Sequence, residues 1–434
     1  MSYDLAAIRA QFPALALEDS GRPRIYLDNP AGTQVPLRVI DAMADCLRTS
    51  NANVGGHFAT SRKAGNIVTN ARRAMADLLN AASADEIAFG QNMTSITLHM
   101  ARSIGRLFRP GDEIVLSRMD HDANVWPWVM MARDHELEVK WLPFDTASFE
   151  FDLDALDELL SDRTRLVCVG AASNLLGTLN DVATICAKAR AAGALTYIDA
   201  VQSVPHVATD VQAIGCDFLA CSPYKFFGPH QGVLYGRHEV LEQLEAYKVR
   251  PAPTGVPGRF EPGTQSHEGC AGIIAAVDYF EWIGATMAGA SGRRAALRAA
   301  MHTLFNYEKT LAAQLIEGLQ ELDGVTVQGI TASDALDRRV PTVSFTHERL
   351  APDAIASALA DENIFAWSGH NYAVEVARAL GLLESGGVVR IGPVHYNSVA
   401  EIDLTLEALR RVIQACAKTA SSFCVFSLGV LLSG

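Results

Sequence analysis

The run Cys221-Ser222-Pro223-Tyr224-Lys225-Phe226-Phe227-Gly228-Pro229 sets one lysine among aromatic and apolar residues, just after the strand-like Phe218-Leu219-Ala220. An ammonium there loses hydration, which favours the neutral amine, and a neutral amine is a nucleophile toward an aldehyde. Asp199 stands 26 residues upstream, closing another apolar run, Ala194-Leu195-Thr196-Tyr197-Ile198. A lysine that condenses with an aldehyde and a carboxylate that keeps a pyridine nitrogen protonated are the two groups pyridoxal 5'-phosphate (PLP) requires.

A phosphate needs donors. Gly90-Gln91-Asn92-Met93-Thr94-Ser95 follows a strand-like run ending at Phe89 and precedes an apolar helix expected from Leu98 to Leu107. Free amides and hydroxyls at a helix start, here Met93 and Thr94, make an anion site, although such residues often serve only as caps. Ser222 offers another hydroxyl. His121, in Asp120-His121-Asp122-Ala123-Asn124, is placed to stack on a ring and move protons. Gln202, three residues after Asp199, is a candidate donor to a phenolate oxygen, or else a turn amide.

Positioning these groups requires a particular scaffold. Between residues 85 and 236 short apolar runs alternate with helical patterns: strands are expected at 113–117, 139–142, 166–170, 195–199, 218–221 and 232–236. This alternation predicts an α/β fold with a mostly parallel sheet, here seven-stranded, covered by helices on both faces. In such sheets ligands bind at the carboxyl ends of the strands, where Asp199 and Lys225 fall. A Pro/Gly-rich loop over 245–270 precedes a smaller α+β unit with strands at 340–345 and 388–391. The expected division is a large PLP-binding domain over 24–270, a small domain from 1–23 and 271–417, and an apolar tail over 418–434.

Bulk properties narrow the classes of function. The 434 residues carry a formal net charge of -13, which argues against nucleic-acid binding. The eight cysteines show no metal-ligand spacing, so no metal is expected. Residues 1–9 lack the apolar core of a secretory signal, and the apolar run 423–432 is too short to span a bilayer, so a cytoplasmic protein is expected.

Taken in order, these motifs resemble fold-type I PLP enzymes of the class V aminotransferase group, in the cysteine desulfurase-like branch, over residues 24 to 412. Tyr26-Leu27-Asp28-Asn29 resembles the family's entry motif, and 120–124 its ring-stacking histidine segment, with Asp122 where a second His is usual. Ser173-Asn174-Leu175-Leu176-Gly177 is similar to the loop whose Asn approaches the ring oxygen and substrate. Asp199 to His206 is similar to the pyridine-nitrogen segment. Ser222-Pro223-Tyr224-Lys225 stands in place of Ser-Gly-His-Lys. The resemblance implies PLP as an internal aldimine on Lys225, a carbanion delocalised into the ring, Arg390 on the substrate α-carboxylate, and Asn174 near substrate. It also implies a homodimer in which Thr264, within Glu261-Pro262-Gly263-Thr264, reaches the other subunit's cofactor phosphate.

The departures bear on the reaction. Relatives carry a cysteine on a mobile loop in a segment like Arg-Thr-Gly-His-His-Cys, whereas this chain reads Trp367-Ser368-Gly369-His370-Asn371-Tyr372. Tyr372 stands where the persulfide-forming thiol is expected, and a phenol accepts no sulfur. Cys221 and Cys270 lack the mobile tether such an acceptor needs. Transamination, β-elimination or desulfination, and epimerisation remain open for an amino-acid substrate. A true cysteine desulfurase and a non-catalytic scaffold are the alternatives.

Overall fold

The apolar runs between residues 87 and 236 assemble into one sheet. The computed structural model describes residues 3–429, with side chains through residue 415; the expected tail over 418–434 lies outside the described side chains. The strands are β1 (Ile87–Gly90), β2 (Glu113–Ser117), β3 (Glu138–Leu142), β4 (Thr164–Gly170), β5 (Leu195–Asp199), β6 (Phe218–Cys221) and β7 (Gly232–Gly236). Their order is β1-β7-β6-β5-β4-β2-β3; β7 runs antiparallel to both of its neighbours, β1 and β6, and the remaining pairs are parallel.

Both faces are covered, which explains why the strands read as continuous apolar runs. Alternate residues serve opposite cores. Val115, Val167, Val169, Ile198 and Leu219 face one cluster, whereas Ile114, Leu116, Leu166, Tyr197 and Phe218 face the other. Each of these side chains stabilises the fold by roughly 1.5–3 kcal/mol. The helix His267–Met287 buries Ile273, Val277 and Phe280 in the first cluster beside Val68 and Met75 of the helix Ala59–Leu79. The expected boundary at 270/271 lies within this helix. Ile8 and Phe12 join the same cluster.

A second, antiparallel sheet contains β8 (Val325–Gln328), β9 (Val343–His347), β10 (Trp367–Gly369) and β11 (Val388–Ile391), in the order β8-β9-β11-β10. Its core joins Phe345, Val389 and Ile391 to Leu311 and Leu315 of the helix Arg293–Gln320, and to Leu406 and Leu409 of the helix Val399–Gly429. Ile25–Tyr26 pairs in parallel with Ile364–Phe365, and the Gly392 amide donates to the Leu27 carbonyl at 2.7 Å. This stitching brings Asp28 beside the end of β11.

Two differences from the sequence reading have local causes. The helix expected to start near Leu98 begins at Met93, because the Asn92 side chain caps it by accepting the Ser95 amide at 2.9 Å. Strands β8 and β10 escape the pattern because they are short and half-exposed, so neither shows a clean apolar alternation.

Candidate active site

The carboxyl ends of β1, β2, β4, β5 and β6 surround a cavity. Met93, Thr94, His121, Asn174, Asp199, Gln202, Ser222 and Lys225 all line it. It continues outward into a wider cleft where His121, Asn174 and Lys225 meet Trp367, Tyr372 and Arg390. Thr264 is elsewhere: it lines a separate cavity with Gln91, Ser95 and Gln231.

Lys225 ends a single 3-10 turn, Pro223–Lys225, that leaves β6. Its Nζ donates to the Pro30 carbonyl and sits 5.1 Å from the centre of the Tyr224 ring. Burial, helped by the Arg390 charge and opposed by Asp199, lowers its pKa from 10.5 to about 7. The amine is thus tuned to lose its proton near neutral pH.

Asp199 is buried at the end of β5, and its Oδ1 accepts the Val201 amide at 2.9 Å. Burial raises its pKa to about 6, while the Val201 amide and Lys225 restrain the rise. A cationic ring nitrogen placed against this carboxylate would lower it again and be held protonated in return. His121 follows β2 and caps the next turn, its Nδ1 accepting the Ala123 amide at 3.0 Å. That bond leaves the proton on Nε2. Burial, then Lys225 and Arg390, push the ring's pKa down to about 3, so it presents a neutral face. Asp120, just before it, takes hydrogen bonds from Ser117, the Gly170 amide and Asn124, with burial raising its pKa to about 7.

Arg390 is buried on β11 and donates from Nη1 to the Asn174 carbonyl at 3.0 Å. Its Nε, the Asn174 Oδ1 and the Asp28 Oδ1 are buried without protein partners. Desolvation lowers the Arg390 pKa to about 10 and raises that of Asp28 to about 6, their mutual attraction opposing both shifts. Buried polar atoms left unpaired around a cavity are groups a polar ligand would satisfy. The Ser222 Oγ accepts the Met93 amide at 3.2 Å, and the Gln202 amide donates to Thr342 at 2.9 Å, leaving one N–H free of that bond.

The segment after β10 closes over this cleft. Gly369, Asn371 and Tyr372 have φ of 105°, 48° and 61°. Gly387 makes room for it, since a side chain there would collide with the Gly369 backbone. The Asn174 amide donates to the Asn371 carbonyl at 2.7 Å, and the Asp122 amide to the Tyr372 carbonyl at 2.7 Å. The exposed Tyr372 ring stacks on His121, 5.4 Å between centres and 16° apart in plane. Six cysteines have described side chains, and all are buried. Burial pushes the Cys270 thiol up to about 12, and its sulfur accepts a Gln231 contact at 3.7 Å.

Sequence reasoning missed Pro30, Asp28 and Asp120. No local signal marks Pro30, whose carbonyl meets Lys225 across 195 positions of chain. Asp28 and Asp120 lie inside motifs quoted for their neighbours, so an acid beside each motif was the available clue.

Residues 25–405 match the family model described as aminotransferase class-V. A cysteine desulfurase of Pectobacterium atrosepticum is 34% identical over 427 residues, covering 95% of this chain and 98% of that protein. One from Yersinia pestis is 31% identical over the same length, covering 95% and 99%. The apo cysteine desulfurase of Thermococcus onnurineus NA1 superposes with a TM-score of 0.85 at 28% identity, covering 96% of this chain and 99% of the other. A cysteine desulfurase structure from Escherichia coli gives 0.81 at 27% identity, covering 96% and 100%.

Proposed function

The chain belongs to the class-V aminotransferase family of PLP-dependent enzymes, in its cysteine desulfurase-like branch, and from that membership we propose that it releases the β-substituent of an amino acid without a loop thiol to capture it. The cavity fits PLP: a buried acid, a neutral imidazole face, an amine titrating near 7 and a helix N-terminus converge on it. When bound, the cofactor supplies an aldehyde for amines and a protonated ring that withdraws electrons from the substrate α-carbon.

In this reading Lys225 holds the cofactor and, once displaced by substrate, takes the α-proton at Nζ, for which a pKa near 7 suits it. Asp199 keeps the ring nitrogen protonated. His121 covers one ring face. Met93, Thr94 and Ser222 bind the phosphate, while Gln202 and Asn174 approach the ring oxygen. Arg390 grips the α-carboxylate, using the buried Nε that has no protein partner. Tyr372 supplies a proton to the departing group from the cleft. Thr264, in its separate cavity, serves the phosphate of a second copy in a cytoplasmic homodimer.

The observation that carries the reading is Tyr372 stacked on His121 at the mouth of the cleft, with every described cysteine buried. The test is incubation with L-cysteine and with the uncharged-side-chain substrate β-chloro-L-alanine. Chloride, pyruvate and ammonia from chloroalanine, with no protein-bound persulfide from cysteine, is the expected result. A persulfide on the protein would overturn it.

A further inference from the structure

Arg390 has two cross-strand neighbours, Ser344 on β9 and Trp367 on β10, each directly opposite it in the register. Directly opposed residues of antiparallel strands project from the same face. That face looks toward the large unit, because Ser344 donates to the Leu175 carbonyl and Arg390 to the Asn174 carbonyl. Trp367 therefore stands beside the arginine at the cleft, yet remains 51% exposed. Tyr372, 67% exposed, lines the same cleft, and His370 sits edge-on to it at 6.3 Å between ring centres.

Two large rings left half bare at one cleft mouth offer apolar surface that a ligand can cover. The charges there are equally informative. Among the described residues, Lys225 and Arg390 are the only Lys, Arg, Asp or Glu lining the cleft, beside the imidazoles of His121 and His370. With Arg390 on the α-carboxylate and Lys225 at the α-carbon, no described Lys, Arg, Asp or Glu remains for a charged substrate side chain. An anionic or cationic side chain would lose hydration with no partner. A flat neutral one would bury itself and both rings.

We propose that Trp367 and Tyr372 are specificity residues that select an amino acid with a flat, uncharged, aromatic side chain. The inference rests on the reading above, in which Arg390 holds the α-carboxylate, and names the substrate class of that site. Aromatic β-substituents such as arylthiolates also leave unaided, which suits a cleft with no cysteine among its described lining residues.

The test is a spectral titration of the holoenzyme, following the cofactor absorption as L-alanine, L-phenylalanine or L-aspartate is added. None of the three carries a facile β-leaving group, so the readout is binding. Phenylalanine is expected to bind at least roughly tenfold more tightly than alanine, and aspartate more weakly than alanine. Trp367→Ala should bring the phenylalanine-to-alanine ratio close to one, and Trp367→Arg should reverse the order of phenylalanine and aspartate. Equal affinities in the wild type, or a ratio unmoved by Trp367→Ala, would overturn the inference while leaving the proposed function standing. Silence of the cofactor toward every amino acid would overturn both.

Discussion

The lowered pKa of Lys225 makes a prediction that needs no substrate. Cofactor-free protein captures PLP only through the neutral amine, so the capture rate should follow the deprotonated fraction. With a pKa of about 7 rather than 10.5, about half of Lys225 is neutral at pH 7 and about a tenth at pH 6, against roughly one in 3,000 at pH 7 for an ordinary lysine. The assay is stopped-flow absorbance of PLP mixed with the apo-protein between pH 5.5 and 10. Dividing by the rate for Nα-acetyl-lysine, after correction for its own neutral fraction, removes the cofactor's own titrations. The corrected rate should rise about tenfold per pH unit below 7 and flatten above it. Arg390→Gln removes a cation that lowers the pKa and should move the break upward; Asp199→Asn removes an anion that raises it and should move the break downward. A rate that keeps climbing tenfold per unit up to pH 10 would refute the claim that burial tunes this amine.

Asp199→Asn keeps the Val201 hydrogen bond but no longer favours a protonated ring, so kcat should fall at least roughly a hundredfold with the thermal midpoint nearly unchanged. Glu308, buried, accepts from His206 at 2.8 Å and from the His395 amide at 3.0 Å, tying the Asp199 segment to the smaller unit. Glu308→Ala should cost about 3 kcal/mol in urea unfolding, since it strands both partners. Its carboxyl is held below 4.5, so the wild-type advantage should be full above that pH and fade as pH drops through the lower folded value. Tyr372→Cys places a thiol at the cleft, and incubation with L-cysteine should then add one sulfur atom by intact-protein mass in this variant only. Sedimentation should give a dimer, and Thr264→Ala should release PLP faster; a monomeric active enzyme would contradict the shared site.

The inner part of the site was legible because strand ends are. Leu195–Asp199 and Phe218–Cys221 are apolar runs whose boundaries match the sequence reading, and the groups that follow them fall at one edge of a parallel sheet. What escaped depends on distant parts of the chain meeting. Nothing near Pro30 announces that its carbonyl takes a bond from Lys225, and nothing near Asp28 shows that Arg390 will face it. The Gln202 amide was expected to be free for a ring oxygen, but Thr342, 140 residues away, takes one of its hydrogens. Trp367 was read only as a replaced arginine. Its place opposite Arg390 became visible once β10, a three-residue edge strand with no periodic signal, was seen to pair with β11.

If Lys225 carries the cofactor, borohydride reduction of the yellow holoenzyme followed by peptide mapping will locate it there. A single pyridoxyl group on Lys225 is expected, with loss of colour, and no label in Lys225→Ala. A label on another lysine, or a wild-type protein that PLP leaves colourless and unlabelled, would contradict it.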